Sequence, residues 1–483
     1  MAPRLQDLPE ELLVAVLGYL PKTDLKSARL TCIRCGYIGA QGLFQRVYFA
    51  PRRSAIETFL SISANPTFAR TVTELVYDGR LFLPELTAYK PYRKAFDAHI
   101  CYQHGEDNED IADAEQAGDG DGSTSNVGDD TTTRRQAVTP GCLIKGPDLY
   151  HETLADTLVR YTRLVDQQQS ILEDKKDYEA LCTGLKNLPN ITTVIALDKF
   201  AECCDWVPLR ADDHSRYHQR SELEIAVPIA PSSWARAKTI EDGEIRKWDV
   251  RGIQSLMRAV SKHCQEVTGL YIGSELSNAP MSMFEMDQDD YEDACTMAQR
   301  LTCLKMDLYV SRSDSEDEGQ EQYDCLNGFL SEATELRCLA TSGRIDSSLF
   351  NGKVWPHLEI LIWGDLGLEE SHLKAITRAH KGTLRELTLR NVYLFGAQGW
   401  ADAAKEIGKY LKLRRVSVLG VCDEVTREGT ADPYLEDDIN LAVARSFMQS
   451  IPRTILLDEN SHTIIACPGE DSSLVEIGHS QGP

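Results

Sequence analysis

The sequence predicts an α/β protein, with a small all-α unit of three helices followed by an irregular, horseshoe-like solenoid in which helices alternate with short strands. Three observations lead there. Between positions 5 and 49 the apolar residues recur at helical spacing. From position 72 onward a different pattern returns many times: an apolar residue, two others, an apolar residue, one other and a third apolar residue, usually behind an amphipathic helix. Residues 105–140 interrupt that pattern with Asp, Gly, Ser and Thr and almost no large apolar side chain.

The N-terminal unit is read element by element. Asp7 can cap a first helix, Pro9 is tolerated in its first turn, and Glu10 stands three residues after the cap, where it can return a bond. Leu12, Leu13, Val16, Leu17 and Leu20 form one broad apolar face, and Pro21 ends the helix. Thr23 and Asp24 start a second helix, with Leu25, Ala28, Cys32 and Cys35 sharing a face. A third apolar group, Leu43, Phe44, Val47 and Phe49, follows a bend expected at Gly39 and Gly42. So small a unit has too little interior to stand alone, and its apolar faces need a covering partner.

Leu8-Pro9-Glu10-Glu11-Leu12-Leu13, Val16-Leu17, Leu20-Pro21, Leu25 and Arg29-Leu30-Thr31-Cys32-Ile33-Arg34 together resemble an F-box. The resemblance covers about a tenth of the chain. It departs at Cys35, where an aromatic residue is usual in the family. It implies a three-helix module that docks on a Skp-type adaptor and so joins a cullin-RING ubiquitin ligase. Leu8, Pro9, Leu12, Leu13, Val16, Leu17, Leu20, Leu25 and Leu30 are then expected to supply the adaptor contact and its supporting core.

Residues 51–104 should begin the repeat domain, with a first strand near 72–77 carrying Val72, Leu75 and Tyr77. The acidic stretch 105–140 cannot bury enough apolar surface to offset its ordering entropy and is expected to be a disordered insertion. Its Asp119, Asp121 and Ser123 lack the glycine and closing Glu of a calcium loop. The repeat domain should then occupy 141–422, where the pattern is that of degenerate leucine-rich repeats. Leu154, Leu158, Tyr161 and Val165 form one helical face, and Tyr178, Leu181 and Leu185 a second. Strand triplets follow at Ile191/Val194/Ala196, Val267/Leu270/Ile272, Leu301/Leu304/Met306, Ala333/Leu336/Cys338, Leu358/Leu361/Trp363, Leu384/Leu387/Leu389 and Leu413/Val416/Val418. Each helix-strand unit has an apolar face that only a stacked neighbour can cover. Asn391 falls one place early for the inward asparagine of a regular repeat. Residues 312–324 read as a second acidic loop, and 423–483 as a capping helix followed by a frayed tail.

Other classes find little support. A net charge of -24 without a dense basic run argues against nucleic acid, and no segment reads as a membrane span or a signal peptide. The 14 cysteines are scattered, as in a reducing compartment, so a cytoplasmic or nuclear location is expected. Cys203 and Cys204 are adjacent, which does not suit a zinc site with His214 and His218. The Cys32-Ile33-Arg34-Cys35 pair reads as core packing, and no phosphate loop, nucleophile elbow or HExxH is present, so no catalytic residue, metal or cofactor is expected.

The chain as a whole resembles fungal-type F-box proteins with degenerate leucine-rich repeats, a group to which HKGTLRELTLRNVYL is also similar. That resemblance implies a substrate-recognition subunit of an SCF ubiquitin ligase, with an unknown protein substrate held by the repeats and no catalysis of its own. A non-ligase interaction scaffold is the alternative.

Overall fold

A computed structural model describes residues 8–20, 22–95, 154–197, 250–273, 279–309, 316–344, 347–396, 399–419, 422–423, 453–458 and 463–468. The acidic stretch 105–140, the Cys203 to His218 cluster, the expected capping helix and the tail lie outside them, as do Asp7 and Pro21.

Helices α1 (Glu10–Gly18), α2 (Lys22–Ala28) and α3 (Ile33–Leu43) form the N-terminal unit. The first turn of α1 carries no side-chain cap, and Pro9 occupies the capping position instead. The single second helix expected from 23 to 35 is two. The chain turns at residues 29–31, with the Leu30 and Thr31 amides donating to the Ser27 and Ala28 carbonyls, and Cys32 then caps α3. Nor is there a bend at the glycines, because α3 runs straight through Gly39 and Gly42. A Cβ at Gly42 would stand 2.9 Å from Leu25 Cδ2, so glycine there lets α2 and α3 close on one another.

Val47 and Phe49 leave this unit altogether. They alternate with Arg46 and Tyr48 at the two-residue period of a strand, β1 (Arg46–Phe49), and β1 pairs in parallel with β2 (Glu74–Asp78). The sheet therefore begins before residue 50, not near 72–77, and the expected boundary at 50 falls inside it. Between these strands come α4 (Arg53–Ser63) and the single turn α5 (Pro66–Ala69). After β2 follow α6 (residues 89–95), α7 (Leu154–Glu173), α8 (Lys176–Leu185) and β3 (Thr193–Leu197).

The rest repeats one theme. Helix α9 (Arg251–His263) leads to β4 (Gly269–Ile272) and the two-residue β5 (Ala279–Pro280); α10 (Gln288–Ala298) to β6 (Cys303–Tyr309); α11 (Glu316–Glu332) to β7 (Cys338–Arg344). Strands β8 (Ile360–Gly364) and β9 (Gly367–Glu369) precede α12 (Glu370–Ala379), then β10 (Glu386–Arg390), β11 (Tyr393–Phe395), α13 (Gly399–Gly408), β12 (Arg415–Leu419) and β13 (Cys422–Asp423). Strands β14 (Arg453–Asp458) and β15 (Thr463–Pro468) close the far edge as an antiparallel pair against β12.

From β1 to β12 the main sheet is parallel and its strand order follows the sequence. Two rows of inward side chains cross it in register: Val47, Leu75, Val194, Leu270, Leu304, Leu339, Leu361, Leu387 and Val416, and, two residues on, Phe49, Tyr77, Ala196, Ile272, Met306, Thr341, Trp363, Leu389 and Val418. All are buried, in most places with the helix residues that cover that face, such as Phe59, Leu181, Leu256, Met297, Leu330 and Trp400. Successive helices also pack on one another, α4 on α8, α8 on α9, α9 on α10, α10 on α11 and α12 on α13.

One strand triplet and one loop expected from the sequence need correction. The triplet at β7 is Leu336, Leu339 and Thr341, three residues later than Ala333/Leu336/Cys338, because Leu339 pairs with Leu304. Ala333 is a buried residue just past the end of the preceding helix, and the buried Thr341 hides the true third position from a search for apolar residues. The acidic loop expected over 312–324 is helical from Glu316, in a stretch whose Glu and Gln are good helix formers.

Beyond β2 the chain is pinned by α7. Gln168 accepts the Phe82 amide at 2.7 Å and donates to the Pro51 and Arg80 carbonyls, and the Tyr161 hydroxyl accepts the Leu83 amide at 2.9 Å. Asp78, fully buried at the end of β2, takes charge-assisted bonds from Arg52 and Arg80 and a hydroxyl bond from Tyr48. Burial alone would raise its carboxyl, but the two guanidinium groups hold it well below the usual carboxylate range.

Candidate functional site: an uncovered apolar face on the N-terminal helices

The N-terminal unit divides its apolar residues into two sets. Leu13 and Leu17 of α1 turn inward on Leu25, Cys35 and Ile38, with Leu20, Ala28, Cys32 and Leu43 packed around them. The other stripe of α1 points out: Leu12, Val16 and Tyr19 lie at i, i+4 and i+7 and are all exposed, while the exposed Val14 lies on the opposite flank of the helix. Leu30, at the corner between α2 and α3, is 84% exposed, Ile33 in the first turn of α3 is 94% exposed, and Tyr37 follows one turn later.

So the residues singled out from the sequence fall into two groups. Leu13, Leu17 and Leu25 are interior, Leu8 and Leu20 are half-buried, and Pro9, Leu12, Val16 and Leu30 lie at the surface. Residues 5–49 match the family model described as F-box-like. The chain carries an F-box-like domain. F-box domains generally bind Skp-type adaptors. No curated protein matches the chain.

Within the F-box-like domain three further exposed residues, Tyr19, Ile33 and Tyr37, extend the apolar surface beyond the set the sequence suggested. The helical register carries the signal for Tyr19, which continues the Leu12 and Val16 stripe. No comparable signal marks Ile33 and Tyr37, because the break between α2 and α3 decides which way they face. Cys35, standing where an aromatic is usual, is 1% exposed and fills the space between the helices, so it does not reach the surface. Its amide donates to the Cys32 sulfur at 3.3 Å, a thiol in the role usually played by a Ser or Asp cap. That bond from the Cys35 amide pulls the Cys32 thiol below its ordinary value, while burial pushes Cys35 up.

The domain is joined to the sheet without a spacer. Only Phe44 and Gln45 separate α3 from β1, and the Gln45 carbonyl accepts the Thr73 and Glu74 amides at 2.8 and 3.1 Å. The Arg29 guanidinium lies 5.7 Å from the centre of the Phe44 ring and 5.9 Å from that of Phe68, which stack on each other 4.2 Å apart. One stack thereby links α2 with the end of α3 and with α5. Among the described residues no three metal-ligating side chains gather, and no helix is long and apolar enough to cross a membrane.

Proposed function

We infer that this protein is the substrate-recognition subunit of an SCF-type ubiquitin ligase. Its F-box-like domain would bind a Skp-type adaptor and through it a cullin-RING core, while an irregular leucine-rich-repeat solenoid, of the fungal kind the sequence resembles, holds a protein target. The observation that carries this reading is the apolar face of Leu12, Val16, Tyr19, Leu30 and Ile33, left uncovered by the described residues. The in-order parallel sheet and its two rows of inward residues support the repeat reading. No chemistry by the protein is required. Holding a target beside a loaded conjugating enzyme raises the effective concentration of the target's lysines.

The test is co-purification of the tagged chain with a Skp-type adaptor and a cullin. The wild type is expected to retain both, and the double substitution Leu8→Ala with Pro9→Ala to lose both while the sheet stays folded by circular dichroism. Adaptor without cullin would instead favour a non-ligase scaffold.

A further inference from the structure

Outside the F-box-like domain, two cysteines meet on the face of the sheet opposite the helices. Cys303 opens β6, Cys338 opens β7, and the two are direct partners in the parallel register. Adjacent strands lie about 4.8 Å apart, inside the range of about 4.4–6.8 Å over which Cα atoms accept a disulfide. Both thiols are free and half-exposed. On the neighbouring strand Gly269 occupies the place next to Cys303, and the ring of Tyr271 leans towards that place, its Cε2 3.4 Å from where a Cβ would stand. The Tyr271 hydroxyl comes within 3.5 Å of the Cys303 sulfur, and the Lys305 ammonium sits 5.2 Å from the Tyr271 ring centre.

We propose that Cys303 and Cys338 form an oxidisable dithiol, a modification site at which hydroperoxides close a disulfide between β6 and β7. Cys303 is the attacking sulfur. The neighbouring Cys338 thiol, opposed by burial and helped by Tyr271 and Lys305, pulls Cys303 down to about 6, whereas the proximity of Cys303, with burial, pushes Cys338 up. The thiolate of Cys303 attacks one peroxide oxygen, the O–O bond breaks, and the leaving hydroxide takes up a proton to become water. The product is a sulfenic acid on Cys303. The Cys338 sulfur then attacks it, the S–S bond forms, the S–O bond breaks, and the departing hydroxide takes the Cys338 proton. The sum is two thiols and one hydrogen peroxide giving one disulfide and two waters.

The chain reports the reaction conveniently, because trypsin releases the two cysteines on separate peptides, 301–305 and 338–344. The full-length reduced protein is treated with hydrogen peroxide at neutral pH, remaining thiols are alkylated, and the unreduced digest is analysed by mass spectrometry. The expected result is a cross-link of those two peptides, two hydrogens lighter than their sum, formed before the half-exposed Cys32, Cys182, Cys295 and Cys325 are oxidised. In Cys338→Ser a dimedone adduct should accumulate on Cys303, and in Cys303→Ser residue 338 should remain reduced. Oxidation of the other half-exposed thiols while this pair stays reduced would overturn the proposal. So would a lasting sulfenic acid on Cys303 of the wild type. The wild-type peptide map decides the matter without either variant.

Discussion

His380 Nε2 accepts the backbone N–H of Trp355 at 2.9 Å, deep in the layer of helices, while its Nδ1 donates to the Ile376 carbonyl at 2.8 Å. Only the neutral imidazole with its proton on Nδ1 satisfies both partners. Burial accordingly lowers the His380 pKa from the ordinary 6.5. Burial, with Lys186 and Lys262 nearby, shifts His263 in the same sense. A histidine depressed in the folded state contributes stability that is fully present above pH 6.5 and is lost as the pH falls below it, because the unfolded chain takes up the proton first. Thermal unfolding at pH 5.5 should therefore begin at a lower temperature than at pH 7.5. His380→Phe should lessen that dependence and, by stranding the Trp355 amide, cost about 1–3 kcal/mol at neutral pH. An unchanged pH profile in the variant would show that His380 does not titrate in this way.

The Asp78 cluster yields a prediction about the start of the sheet. Asp78→Asn removes the negative charge that faces the two largely buried guanidinium groups of Arg52 and Arg80. Breaking such an arrangement costs about 3–5 kcal/mol. Hydrogen exchange should localise the loss to β1, β2 and the first turn of α4.

The inward and outward stripes of α1 should separate stability from binding. Leu17→Ala empties a buried site and is expected to cost about 2–5 kcal/mol of folding free energy. Leu12→Ala and Leu30→Ala remove exposed side chains, so their unfolding midpoints should stay close to that of the wild type. Their affinity for a Skp-type adaptor, measured by calorimetry, should fall by about 1–2 kcal/mol each if they occupy the centre of the contact.

Gly184 of α8 faces the edge of the Phe59 ring from α4, and a Cβ there would overlap the ring. Phe59 is itself fully buried and packs edge-on against Phe49 at 5.0 Å, so it has little room to yield. Gly184→Ala should cost about 1–3 kcal/mol by overpacking. Denaturant titration provides the measure. Gly382→Ala, with open space around it, is the control expected to be nearly neutral.

Where two periods differ sharply, sequence and structure agree. The triplets at Leu75, Val194, Leu270, Leu304, Leu361, Leu387 and Val416 mark strands correctly because one apolar side chain follows another after two residues and both need an interior. The strand pattern at β7 is misread because Thr341 takes an inward place and the buried Ala333, just past the helix before it, imitates a first position. Asn391 illustrates a different limit. It adopts a left-handed turn at φ 50°, as Asp365 does one repeat earlier at φ 52°, and its amide donates to Asp365 Oδ1 at 2.9 Å. That role depends on a neighbour 26 residues away and leaves no trace in local composition. At the candidate site the inner and outer stripes of α1 are both apolar, so hydropathy alone cannot say which one is covered. The path of α2 and α3 settles it.

The two-residue passage from α3 into β1 bears on how the molecule would act as a ligase subunit. With the Arg29, Phe44 and Phe68 stack braced across that passage, the N-terminal helices and the first strand form a bracket and not a tether. A target held on the sheet would be presented at one bearing and one range, and the choice among its lysines would become a matter of surveying. Those at the right height would be reached, and others equally accessible to solvent would not.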